Sequence, residues 1–368
     1  MSLRNCSAVL AVVGAGCLSS VVDEPVAAEA SEIGSCDAFM CGTNSPQIAE
    51  FGFWELQMPP VYGTPGAPNN VGMQVLLFVH NAAGYLPRVV GGRLYAIPAA
   101  GGPALSGPAL VNGWFYLRNG TRAFKLRIAE VGWVDSWATS LATGKPVSLE
   151  TYKLDWTELV NGNWGDFRNM CKNPPSRESG ELMTMTGANM YRTLVFEGDR
   201  IKAEPKLDTG IDVSWFNLGC AGSALAKMAL TGHTEASHVT HAFETTLDER
   251  QTMLKMLTAD YCGDGKPFTV AGQPLNWRDD HSTMKLAALM MSPPQPLARE
   301  ARWTPNGAAC LDKPRVDAHW TSAGSIEFGP DVYAQVQSHC ASPIPPCSGN
   351  TLETEGYHLL TATVPYQP

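Results

Sequence analysis

Cys220 is the residue whose surroundings could support covalent chemistry. It precedes a run read as a helix from about Ala221 to Thr231, with Leu225 and Met228 on the buried side and Gly232 to end it. A thiol at a helix start feels unpaired backbone N–H groups and the positive end of the macrodipole, which favour thiolate. His233 could serve as base and Asp260 could orient it, so Cys220, His233 and Asp260 sketch a cysteine-dependent hydrolase or acyltransferase. The competing reading is a disulfide from Cys220 to Cys262, clamping the start of one helix to the end of the next. The even cysteine count and the signs of export favour the disulfide.

Asp260 lies at the end of that second helix. The helix begins at Thr246, with Glu249 spaced for a capping box, and carries Leu247, Leu254, Leu257 and Tyr261 as its apolar stripe before Gly263 stops it. A carboxylate in a last helical turn is disfavoured by about 0.3–1 kcal/mol. Asp260 therefore wants a partner, for which Lys227 and Arg250 are candidates, and its role reads as structural. His233, His238 and His241, with Glu235 and Glu244, could offer zinc or copper ligands. Their spacing matches no recognised ligand pattern, so a solvated loop is favoured and no metal is assigned. Trp303, Trp320 and Trp114-Phe115-Tyr116 could stack on glycan rings, although such aromatics are more often core. No phosphate-cradling glycine loop, Gly-x-Ser-x-Gly elbow or His-Glu-x-x-His helix is present, and no cofactor is implied.

Ten cysteines divide into two groups. Cys6 and Cys17 belong to an N-terminal segment with one Arg, an uncharged stretch from Ser7 to Gly16 and small residues before Cys17, a signal-peptide pattern. That stretch is far short of the roughly 20 residues needed to span a bilayer. Gly14-Ala15-Gly16-Cys17 resembles a bacterial lipobox, with Gly14 where a larger aliphatic is usual, so Cys17 is the expected lipidation site. The remaining eight are Cys36, Cys41, Cys171, Cys220, Cys262, Cys310, Cys340 and Cys347. They suit four disulfides in an oxidising compartment, with 105 connectivities open.

Net charge is -9 and charged residues are 17% of the 368, against roughly 25% in an average soluble protein. No run of Lys and Arg offers a nucleic acid the basic stripe it needs. With 35 Gly and 27 Pro the chain favours short strands and many turns.

These properties place the elements. Residues 1–16 read as signal peptide, 17–40 as a flexible tether, 41–172 as a β-rich region and 186–368 as an α+β region. The boundary is expected in Asn173 to Gly180, the most loop-like interior stretch. The clearest hairpin is Trp114 to Ile128 about a type I′ turn at Asn119-Gly120, with Phe124, Leu126 and Ile128 buried and Lys125 and Arg127 wet. Further strands are expected at Val75–His80, Arg93–Ile97, Tyr152–Trp156 and Tyr191–Phe196, with a turn at Glu197-Gly198-Asp199 and a hairpin over Phe268 to Trp277.

Met253 to Ala259-Asp260-Tyr261-Cys262-Gly263, preceded by Cys220 to Lys227, closely resembles the ADYC domain family of exported bacterial proteins, familiar from myxobacteria and named for that tetrapeptide. The similarity extends back through the Asn119-Gly120 hairpin and Cys171, covering Cys41 to about Trp277. The resemblance implies an extracytoplasmic domain and carries no activity. The fold class expected is α+β: a β-rich half, then a helix pair with β-hairpins, stapled by disulfides. The function expected is an exported, lipid-anchored envelope or surface protein that binds or scaffolds. Its partners would be the membrane, through the lipid, and an envelope protein or glycan.

Overall fold

The computed structural model describes residues 46–171, 191–201, 207–268, 276–279, 298–314, 319–320, 326–327, 332–348 and 359–363. The segments read from the sequence as signal and tether lie outside them, as do Cys17, Cys36 and Cys41.

A two-stranded ribbon, β1 (Gln47–Ile48) and β2 (Phe51–Gly52), opens the described chain. Then come β3 (Glu55–Gln57), β4 (Met73–His80), β5 (Ala83–Val90), β6 (Arg93–Pro98), β7 (Leu105–Ser106), β8 (Trp114–Asn119), β9 (Arg122–Thr139), β10 (Pro146–Val160), β11 (Asn163–Trp164), β12 (Arg168–Asn169), β13 (Arg192–Ile201) and β14 (Leu207–Cys220). These twelve make one antiparallel sheet in the order β3-β14-β13-β10-β9-β8-β4-β5-β6-β7, with β11 and β12 pairing to β10. Helices α1 (Ala224–Leu230), α2 (Ser237–Thr240) and α3 (Leu247–Thr258) follow. β15 (Asn276–Asp279), β16 (Ala298–Thr304) and β17 (Gly307–Leu311) belong to a second sheet; β18 (His319–Trp320) pairs with β19 (Ile326–Glu327); α4 (Val332–His339) precedes β20 (Leu359–Thr363). The class is α+β, a β-rich half followed by helices and hairpins.

The boundary expected at 173–180 lies outside the described residues, and strands on either side of it share the main sheet. β13, beyond it, pairs with β10, before it, through Thr151↔Leu194 and Tyr152↔Thr193. The sheet therefore has two buried sides here. Val195 and Leu218 face a core lined by Phe78, Phe115, Leu126 and Tyr152. Leu194 and Phe196 face a second core filled by α1, α3 and Trp303. Strands covered on both faces read as continuous apolar runs, which is why Leu194-Val195-Phe196 shows no alternation.

Two local expectations change. The β8–β9 loop is Gly120-Thr121, with Asn119 opposite Arg122, and Gly120 alone of the two has positive φ, as a type II′ turn requires. The type I′ pair is Asn161-Gly162, at φ 51° and 78°, closing the β10–β11 hairpin. Glu197-Gly198-Asp199 is not a turn: β13 continues to Ile201 through a register shift between Glu197 and Gly198. Most of the hairpin expected over Phe268 to Trp277 lies outside the described residues; β15, which holds its end, pairs with β20.

Helix α1 packs against β14 at Gly219, where a side chain's first carbon would stand 2.5 Å from the amide nitrogen of Ala226. Gly219→Ala must push helix from sheet. A loss of about 2 kcal/mol or more is expected, read as a melting temperature lower by roughly 5 °C.

Candidate functional site

Helix α3 starts as the sequence predicts. The Thr246 hydroxyl accepts from the Glu249 amide at 3.2 Å, and Glu249 accepts from the Thr246 amide, completing the capping box. Its end differs. The helix stops at Thr258 because Ala259 takes the left-handed conformation, φ 52°, with its amide bonding to Lys255 and Met256 carbonyls. Asp260 thus lies beyond the helix, its amide on the Lys255 carbonyl at 2.9 Å, in the pattern of a Schellman cap. Gly263 has another job: its missing side chain admits the Asn306 carbonyl from the β16–β17 turn.

Every residue from Glu249 to Tyr261 is buried, so the charges of that stretch must be met internally. Lys255 pairs with Asp260 and also donates to the Gly263 carbonyl at 3.2 Å. Neither Lys227 nor Arg250, the partners expected from sequence, takes that place. Burial pushes the Asp260 carboxyl up, while Lys255 and the Gly265 amide at 3.0 Å pull it back. Arg250 reaches Asp199 on β13, donating from Nη2 to Oδ1 at 2.9 Å. Its Nε lies 2.7 Å from Oδ2, an ionic contact with poor hydrogen-bond angle, and Glu235 stands 3.1 Å from Nη2. The Tyr261 hydroxyl donates to Glu300 at 2.5 Å, and its ring stacks on Trp303 with centroids 5.2 Å apart. The motif is a buried junction between α3 and the second sheet.

The thiol enzyme is taken apart by the same coordinates. Cys220 does not start a helix; it ends β14, and Ser223 caps α1. Its sulfur is bonded to Cys171, with Cα atoms 5.6 Å apart, rather than to Cys262. Cys262 bonds Cys340, and Cys310 bonds Cys347. Asp260 is held by Lys255. His233 is buried, its Nδ1 at 3.0 Å from the Thr231 carbonyl. Each group the chemistry would need is engaged elsewhere.

The histidine segment is not a solvated loop. His233 and His241 are buried and His238 is exposed. Burial, with His233 nearby, holds His241 down at about 4. Cys262, Asp264 and His339 bring ligand atoms within 4.8 Å of one another. However, the Cys262 sulfur is committed to Cys340, and His339 already lies 2.7 Å from Asp264.

The aromatic candidates separate by depth. Trp303 and Phe115 are core; the side chain of Trp320 lies outside the described residues. Trp114 and Tyr116 are half-buried on the outer face of β8, opposite Arg127 and Lys125 of β9. The β10–β11 turn brings Trp164 and Phe167 over them, 37% and 43% exposed. Lys125 Nζ lies 4.1 Å from the Trp164 ring centre and 5.1 Å from that of Tyr116. Arg127 lies over Phe167 at 4.4 Å and pairs with Asp155 at 3.3 Å. Cation–π contacts of this kind contribute about 0.5–1 kcal/mol at exposed sites. The sequence reading had Lys125 and Arg127 on the wet face but missed Trp164 and Phe167; the Asn161-Gly162 turn was the signal that could have found them.

Two tests follow from the buried groups. Lys255→Met leaves the Asp260 carboxylate unpaired and is expected to cost about 3–5 kcal/mol, with Lys255→Met/Asp260→Leu recovering much of it in urea melts. For His241 the folded value lies below the ordinary 6.5. Its contribution is thus fully present above pH 6.5 and drains away as pH falls toward 4. His241→Gln should flatten the fall of melting temperature across that window, and an unchanged slope would assign the fall to other groups.

A family model described as the ADYC domain matches residues 107–317. It begins later than the resemblance read from the sequence and runs further, from the turn before β8 to beyond β17. No curated protein and no solved structure matches the chain.

Proposed function

Starting from the fact that the chain belongs to the ADYC domain family, we propose that it is an exported envelope or surface protein, anchored by a lipid on Cys17, that binds or scaffolds rather than catalyses. The observation that carries this reading is the bonded state of Cys220, in one of three disulfides among the described residues. Disulfides suggest an oxidising, extracytoplasmic environment. A bonded Cys220 also removes the nucleophile of the competing enzyme. No helix among the described residues is long and apolar enough to cross a membrane, so attachment in this reading falls to the N-terminal lipid, which supplies hydrophobic burial through its acyl chains. The low charge and acidic balance leave nucleic acid without a footing.

In this reading the tether of residues 17–40 lets the stapled domain stand off an outer-membrane or cell-surface leaflet and meet an envelope protein or glycan. A protein without the anchor would be periplasmic or secreted. The experiment is metabolic labelling with an alkyne palmitate. The wild type should carry the label and fractionate with membranes, whereas Cys17→Ser should lose both properties. Iodoacetamide applied to the folded mature protein should leave Cys171 and Cys220 unmodified until a reductant is added. Label-free wild type would remove the anchor, and a freely alkylated Cys220 would remove the non-catalytic reading.

A further inference from the structure

We propose that the outer face of the β8–β9 hairpin, flanked by the turn that follows β10, binds a linear glycan bearing carboxylates. The inference rests on the binding role proposed above and names its ligand class. Trp114 and Tyr116 point outward because their neighbours Phe115 and Leu117 are buried in the core. They stand two residues apart along β8, roughly 7 Å. Arg127 and Lys125 occupy the paired positions of β9, with the same spacing. Trp164 and Phe167 complete the strip, held in place by the tight Asn161-Gly162 turn. Each cation therefore lies between rings in a row across the strands, Lys125 between Tyr116 and Trp164 and Arg127 between Trp114 and Phe167.

The two cations are met differently. Arg127 has Asp155. Lys125 has no carboxylate within ion-pair distance among the described residues and faces only the rings of Trp114, Tyr116 and Trp164. The ring faces lower the cost of holding the ammonium there but carry no net charge, so Lys125 can still meet an anion, with the exposed Asp166 in the same loop as the nearest competitor along the chain from Trp164 and Phe167. A pyranose polymer with uronic-type carboxylates offers the complement: apolar C–H faces for the rings and an anion beside Lys125. A bilayer is a poorer fit, because surfaces that hold anionic membranes carry clusters of about 4–8 Lys and Arg, and this strip offers Lys125 and Arg127.

The test is native affinity electrophoresis of the mature, disulfide-intact protein in gels containing polygalacturonate or neutral dextran, with sedimentation on phosphatidylglycerol vesicles alongside. Polygalacturonate should retard the protein, added salt should relieve the retardation, and dextran should have little effect. Trp164→Ala and Lys125→Gln should each weaken binding about fivefold or more. Trp133→Ala, an exposed ring outside the strip, should leave it unchanged. If Trp164→Ala fails to fold, Lys125→Gln decides. No retardation by polygalacturonate, equal retardation by dextran, indifference to both variants, or binding to vesicles alone each overturns the site. Failure here with palmitate still present on Cys17 overturns the glycan site only; loss of the label with glycan binding intact overturns the anchor only.

Discussion

From Glu249 to its end helix α3 is buried, and each charge in that stretch must be satisfied inside the protein. An unpaired ion in such a place would cost several kcal/mol, more than most single contacts contribute. That constraint organises the second half of the molecule. Arg250 is tied back to Asp199 on the main sheet, while Lys255 turns forward to Asp260 and the loop beyond it. Tyr261 then reaches Glu300 on the second sheet. One helix thus joins two sheets by polar contacts at its surface and apolar packing around them. The Ala-Asp-Tyr-Cys segment is where these ties converge, and its Cys262 adds a covalent one to Cys340 just beyond α4.

The disulfides extend the same logic to segments with little core of their own. Cys310–Cys347 holds the chain after α4 to β17, and Cys171–Cys220 links the end of the β12 segment to the end of β14. Cross-links of this kind restrict the unfolded chain as well as the folded one. They suit an oxidising, extracytoplasmic environment. They also account for the low charge content: cohesion comes from buried sheet, stapled turns and internal ion pairs rather than from long solvated helices.

The two faces of the sheet then take different roles. Where β13 and β14 are sandwiched, the sheet is scaffold, and its polar groups such as Asn217 bond inward to the Asp199 carbonyl. On the β8–β9–β10 side the inner face is core and the outer face carries ordered rings and cations. Rigidity on the inner side fixes the geometry of the outer one, because alternating residues of the same strands build both.

Patterns confined to a few neighbouring residues were determined by the sequence alone. The Thr246–Glu249 capping box, the Phe124-Leu126-Ile128 alternation and the family motif follow from local spacing, and so did the α+β class. The β8–β9 turn was one residue out; this kept every side chain on its correct face, since the pairing moved by two, but changed which ring meets which cation. What only the tertiary structure decided was long-range. Cys220 has seven possible partners among the eight cysteines, and its choice of Cys171 depends on strand order. Asp260 chose Lys255 because Ala259 turned the chain back on itself. His233 and His241 look solvent-facing by their polar neighbours but lie under other elements. Position along the chain fixes local backbone preference; burial and partner depend on elements far away in sequence, which no local spacing encodes.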